Sequence, residues 1–397
     1  MNLKAGLHNL LLANDPHALP EILRHFLAPH PVHYLDEGTG EKLNNDLWGF
    51  GYFWEYVRQS YHTVEHLYEA IKERHEAIQR AIETYRLLNS WATLASLAIS
   101  SGKGNFLIDS SRLEAILDGV SGSYFLLDDK GERKFVIKPI DEDAGALNNP
   151  KGFATPFAAS PLRNHMPLYL SSLREALTYQ IGMSIGVSEI APKTMLAILE
   201  SSGFSYLIDR ISPSEIDRYL EHCGPDLREK LCSVQEYVNG AKTLFEAQQE
   251  LQMGGLSDEE IANRFDTRDF EDANILIWTT YDTDAHAGNI LVYPKGTDAI
   301  GTEILGFKKI DNGLAFPDKN KQLHNALSYL PNAKRSLSEE AREKIAALDI
   351  EALSEQLIAY GLESAVHACK RRIVRLQQLA ARPGITLYEI NKKMAKT

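Results

Sequence analysis

The sequence predicts an α+β fold of two lobes, the first rich in strands and the second in helices, preceded by a helical extension. Three observations point there. Between Gly119 and Ile208 the pattern is strand, turn, strand, twice over. After Gly240 apolar residues recur mostly at three- and four-residue spacing, and the same spacing runs through Leu19, Ile22, Leu23 and Phe26 and again from Phe53 to Leu97. The expected boundaries are a helical N-terminal extension over 1–110, a strand-rich lobe over 111–237 and a helical lobe over 238–397.

With 397 residues, 44% of them hydrophobic, the chain can bury more than one subdomain core. A net charge of −12 lacks the basic field that nucleic-acid binding needs, so no nucleic-acid partner is expected. Cys223, Cys232 and Cys369 are too few and scattered for a disulfide framework, which points to a reducing compartment. The N-terminus has no apolar stretch of signal-peptide length, and no run reaches the ~18 apolar residues of a membrane span, so a cytoplasmic protein without a transmembrane segment is expected.

In the extension, His62-Thr-Val-Glu65-His66 would set two imidazoles on one helix face with a carboxylate beside them, a zinc-hydrolase pattern. No third ligand motif follows it. The first hairpin starts from Gly119-Val-Ser-Gly122-Ser123, whose small residues would let backbone amides approach phosphates. It runs through Tyr124 to Leu127, turns at Asp128 to Gly131, and returns along Lys134 to Lys138, which closes the strand as a single cation. No Walker A loop competes: Gly102-Lys103 has Leu97 in place of the first Gly and Gly104 in place of Ser or Thr. Leu173 to Ile181 reads as an amphipathic helix carrying Glu175, and Thr194 to Ile208 as a second hairpin turning at Ser201-Ser-Gly203. Ser257-Asp-Glu-Glu260 is a capping box, and Phe270 to Tyr281 a helix.

That helix leads into Asp284-Ala-His286-Ala-Gly-Asn289, followed by the strand-like Ile-Leu-Val-Tyr. Twenty residues later, Ile304 to Ile310 is a strand ending in Asp311-Asn-Gly313. A carboxylate that orients a hydroxyl, an amide oxygen and a second carboxylate are what phosphoryl transfer with a divalent metal requires. Asp284, Asn289 and Asp311 are those types in that order.

The five-residue spacing from Asp284 to Asn289 matches the catalytic loop of protein kinases, and the stretch resembles the Asp-Arg-His-x-x-Asn loop of the phosphatidylinositol 3- and 4-kinases, most of all the type II and plant gamma 4-kinases. The family Arg is Ala285 here. Gly122-Ser-Tyr-Phe resembles the family's phosphate-covering loop, Val136-Ile-Lys138-Pro with Asn148-Asn-Pro-Lys-Gly152 its Phe-Lys-Pro segment, Val234 to Gly240 its interlobe linker, and Ala380 to Ile390 the gamma-type C-terminal segment. The resemblance covers roughly 119–392.

It implies a protein-kinase-like fold, ATP as phosphate donor and Mg²⁺ or Mn²⁺ as cofactor. Asp284 would orient the acceptor, with His286 a rival for that role, and Asn289 and Asp311 would hold metal. Gly122, Ser123, Lys138, Glu175 and linker residues Gln235, Glu236, Tyr237 and Val238 would bind the nucleotide. A nucleotide-sensing pseudokinase, suggested by Ala285, is opposed by the retention of all four chemical types.

From Gly361 to Thr397 eight Lys or Arg stand against Glu363 and Glu389. Lys370, Arg371, Arg372 and Arg375 are thus a candidate patch for a lipid headgroup or a soluble polyanion such as an inositol phosphate. The acceptor is expected to be a protein hydroxyl, with phosphatidylinositol as the alternative: no cysteine cluster for palmitoylation is present, and 314–335 carries only Lys319, Lys321, Lys334 and Arg335 as cations. If the protein is a secreted effector kinase of the sort that intracellular bacteria carry, the compartment would be a host cytosol.

Overall fold

The structure, a computed structural model, describes residues 97, 99–100, 106–144, 149–152, 159–160, 166–167, 170–205, 229–318 and 321–395. Most of the expected extension lies outside the described residues, and so do His62, Glu65 and His66. The chain divides into two compact units, 1–172 with 195–235, and 173–194 with 236–397.

The first unit is built on a seven-stranded sheet. Its strands are β1 (Ile99–Ser100), β2 (Phe106–Leu107), β3 (Leu113–Ala115), β4 (Tyr124–Leu127), β5 (Arg133–Pro139), β8 (Thr194–Glu200) and β9 (Glu229–Glu236), ordered β1-β2-β8-β9-β5-β4-β3; β6 (Ala159–Ser160) and β7 (Met166–Pro167) pair separately. Strand therefore begins earlier than the expected boundary at 111. Sheet pairing claims that stretch, because Phe106 and Leu107 run parallel to Leu199 and Glu200 while pairing antiparallel with Ser100 and Ile99.

The β4–β5 hairpin forms as its sequence predicts. Asp128 Oδ1 accepts the amides of Lys130 and Glu132, both at 2.9 Å, and Gly131 takes the left-handed φ of 79° that closes the turn. Alternation then sorts the two faces: Tyr124, Leu126, Phe135 and Ile137 are buried, whereas Phe125, Val136 and Lys138 share the half-buried face. In the second hairpin, β8 lies between β2 and β9, and the stretch after Ser205 to Ile208 lies outside the described residues.

The second unit contains α1 (Ser171–Ser184), β10 (Lys242–Thr243), α2 (Leu244–Met253), α3 (Asp258–Asn263), α4 (Thr267–Thr280), β11 (Ile290–Thr297), β12 (Glu303–Lys309), α5 (Glu339–Ala346), α6 (Ile350–Ala359), α7 (Glu363–Ala380) and α8 (Leu387–Met394). Capping boxes start α2 at Thr243, α3 at Ser257 and α8 at Thr386, and Gly361 and Gly384, with φ of 70° and 67°, separate the last three helices. The α4 helix is capped by Asp266, four residues before Phe270, and is buried from Asp269 to Thr280. It is the core of the unit, with Phe270 and Phe265 both packed on Phe307 of β12 at ring distances of 5.8 and 5.0 Å. Truncating Phe307 would cost about 3–5 kcal/mol.

Candidate functional site

The site residues of the second unit lie where α4 and the β11–β12 hairpin end. Tyr281 ends α4 in a left-handed conformation (φ 48°), turning the chain out of the helix while its hydroxyl donates to the Met394 carbonyl (2.9 Å). Asp282 then accepts the Asp284 amide on Oδ1 (2.8 Å), and the Thr283 amide and hydroxyl both donate to the Leu314 carbonyl. The loop is closed from inside: Asn289 Nδ2 donates to the Asp284 carbonyl (2.9 Å) and to its carboxylate (3.3 Å). That leaves Asn289 Oδ1 as an acceptor with no hydrogen bond among the described residues.

The antiparallel register pairs Ile290 with Lys309, and the Ile310 amide donates to the Asn289 carbonyl at 3.0 Å. Asp311, two residues beyond Lys309, is thereby brought level with the Asp284–Asn289 loop. Asp311 is exposed and has a φ of 54°, a conformation that costs a non-glycine residue about 1–3 kcal/mol and persists only where surroundings enforce it. Burial, followed by the repulsion of Asp311, raises the Asp284 carboxyl above its usual range, while His286 pulls in the opposite direction. Its Nε2 is 3.9 Å from Asp284 Oδ1, and its Nδ1 accepts the Gly288 amide at 3.0 Å. A side chain on Gly288 would lie 2.9 Å from the imidazole, so His286 also shapes the loop.

Three residues at this site were not apparent from the sequence. Lys309 and Asp282 form an ion pair of 2.7 Å with both side chains 1% exposed. Asn312 is buried, and its amide donates to Glu175 at 2.9 Å. Glu175 thus fixes the turn after Asp311 within its own unit.

In the first unit the structure corrects the reason for Gly122. Its amide donates to the Glu142 carbonyl (2.8 Å) instead of facing outward, and a Cβ there would lie 2.3 Å from Glu142 Oε2. Glycine is required because the loop presses on a buried carboxylate. Glu142 in turn accepts the Tyr124 hydroxyl (2.6 Å), the Ser205 amide (3.1 Å) and Lys230 Nζ (2.6 Å). Burial raises the Glu142 carboxyl and, with the Glu142 charge beside it, pushes the Tyr124 phenol far above its usual range. Ser123 is half-buried, and its carbonyl accepts the Ile116 amide. Lys138 lies on the face it shares with Val136, and its carbonyl accepts the Ser172 hydroxyl at 2.9 Å. Gln235 closes the first unit as a buried residue. Glu236 opens the second, exposed and donating its amide to the Lys193 carbonyl (2.9 Å), with Tyr237 and Val238 half-buried after it.

The basic patch on α7 needs one correction. Arg372 is 2% exposed, lies 4.0 Å over the Tyr281 ring and donates to the Pro317 carbonyl (2.6 Å), because its position in the helix faces the core. Lys370 pairs with Glu351 at 2.7 Å, while Arg371 is exposed and Arg375 half-buried. Among the described residues no helix is long and apolar enough to cross a membrane.

The resemblance read from the residues is borne out by relatives. Phosphatidylinositol 4-kinase gamma 3 of Arabidopsis thaliana is 27% identical over 300 residues, covering 71% of this chain and 45% of the relative. Phosphatidylinositol 4-kinase gamma 1 of the same plant is 27% identical over 79% of this chain and 50% of its own. Phosphatidylinositol 4-kinase type 2-alpha of Danio rerio is 28% identical, covering 58% of each. The chain thus spans about half the length of the curated relatives it matches. No family model matches it. A solved structure of the Golgi casein kinase aligns at 13% identity with a TM-score of 0.42 over 76% of each chain.

Proposed function

We propose that the protein is an ATP-dependent phosphotransferase that uses a divalent metal and delivers the γ-phosphoryl group to a hydroxyl. The observation that carries this reading is the convergence of Asp284, Asn289 and Asp311 at one end of the β11–β12 hairpin. Asn289 Oδ1 and the Asp311 carboxylate are oxygen donors of the kind Mg²⁺ or Mn²⁺ takes, and the metal would supply the charge that neutralises the transferring phosphates. Asp284 would orient the acceptor hydroxyl and take its proton, a task favoured by a carboxylate made more basic by burial. Lys138 and Ser123 would hold the nucleotide phosphates, with Gly122 shaping the loop that carries Ser123, and Gln235 to Val238 would hold the base.

The names of the relatives make phosphatidylinositol the first acceptor to test. A protein hydroxyl is the second reading, supported by the scarcity of cations in 314–335. Incubation with labelled ATP and Mn²⁺, offering phosphatidylinositol vesicles and generic protein substrates in parallel, separates them. Label in lipid alone is expected. Label in protein alone replaces the lipid reading, and no label in either, with no ATP hydrolysis, removes the enzyme.

A further inference from the structure

We propose that Lys309 and Asp282 are positioning residues that lock the acceptor loop and the metal-holding turn into one register before any ligand arrives. The inference rests on the phosphotransferase reading above for its catalytic meaning, but the lock itself is a property of the chain.

Lysine has three donors and no acceptor. The Lys309 ammonium donates to the Ile310 carbonyl (2.6 Å) and the Asp311 carbonyl (3.4 Å) and forms an ion pair with Asp282 Oδ2 at 2.7 Å. The last two flank the backbone bond at which Asp311 adopts its left-handed angle, so one ammonium grips the peptide groups on both sides of the disfavoured residue. The other oxygen of Asp282, Oδ1, accepts the Asp284 amide. A continuous polar path therefore runs from the Asp311 carbonyl through Lys309 and Asp282 to the backbone of Asp284, entirely within the second unit.

Position 285, where the similar loops carry Arg, cannot supply this cation. Ala285 is fully buried, bridges Asn325, and its carbonyl accepts the Ala326 amide (2.9 Å). The positive charge behind this loop comes instead from the strand that leads to Asp311.

The test compares the full-length parent with Lys309→Met, Asp282→Asn and the double variant. A buried pair that only stabilises the fold can be replaced by two neutral side chains with little loss, whereas removal of one partner strands a charge. The double variant is expected to melt close to the parent. Its amide hydrogen exchange over 282–289 and 310–316 should rise at least about tenfold without ligand, and its Mn²⁺ dissociation constant, titrated with a non-hydrolysable ATP analogue, should rise by about the same factor. A double variant with parental exchange and parental Mn²⁺ affinity overturns the proposal. A parent that turns over no ATP, while the double variant still loosens both segments, refutes the phosphotransferase reading and leaves the lock standing.

Discussion

Two buried lysines, one in each unit, are used in opposite ways. Lys230 is 2% exposed and held by Asp141, Glu142 and the Ser205 carbonyl, while Glu142 also takes Tyr124 and Ser205. Each charge in that cluster answers another one inside it. Lys309 is as deeply buried, but its network ends at Asp284, Asn289 and Asp311, of which Asp284 is half-buried and Asp311 exposed. An enclosed polar cluster fixes backbone geometry. One that runs out to an exposed carboxylate lies, on the proposed reading, where a ligand would be held.

The comparison can be broken at several points. At the open end, Asp284→Asn should lower phosphoryl transfer about 10²–10⁴-fold, roughly 3–5 kcal/mol of barrier, with Mn²⁺-dependent binding of an ATP analogue retained. Equal rates in parent and variant would exclude Asp284 from the acceptor role. At the closed end, Lys230→Met should destabilise the first unit by about 3–5 kcal/mol by leaving Glu142 and Asp141 without their cation. Adding Glu142→Gln should recover much of that loss in a denaturant titration, and an unchanged midpoint in the single variant would show that the cluster carries no such load.

Gly122→Ala, which forces a methyl to within 2.3 Å of Glu142 Oε2, should cost about 1–3 kcal/mol. Unaltered melting would mean that the loop can move aside. Tyr124→Phe, removing a single 2.6 Å hydrogen bond, should cost about 1–2 kcal/mol by thermal melting. A larger loss would mark the hydroxyl as holding the Glu142 carboxylate in place.

Local signals carried much of this design in the sequence. Asp128 with Gly131 announced a turn, Ser257 with Glu260 a helix start, and Gly361 and Gly384 helix breaks, because each acts within a few residues. The loop from Asp284 to Asn289 was legible through its spacing. Lys309 was not, since Lys308 and Lys309 are indistinguishable in composition. Only the pairing of β11 with β12 turns Lys309 inward to Asp282 and Lys308 toward Glu189. Arg372 was misread for the same reason: a run of basic residues on a helix does not say which of them faces Tyr281. Gly122 was placed in the right loop, but the carboxylate that excludes a side chain there comes from residue 142, beyond the reach of a short motif.

Three buried asparagines extend the reach of the loop to a distant part of the chain. Asn325 donates to Asn274 of α4 (2.9 Å) and to Asn391 of α8 (2.8 Å), Trp278 also donates to Asn391 (2.6 Å), and the residue after Asn325 donates its amide to the carbonyl of Ala285. Position 391 thus stands two hydrogen bonds from the Asp284–Asn289 loop although more than a hundred residues of chain lie between them. A substitution that removes the Asn391 side-chain amide would therefore act on the loop from a distance, loosening the Asn325 contacts that sit behind Ala285.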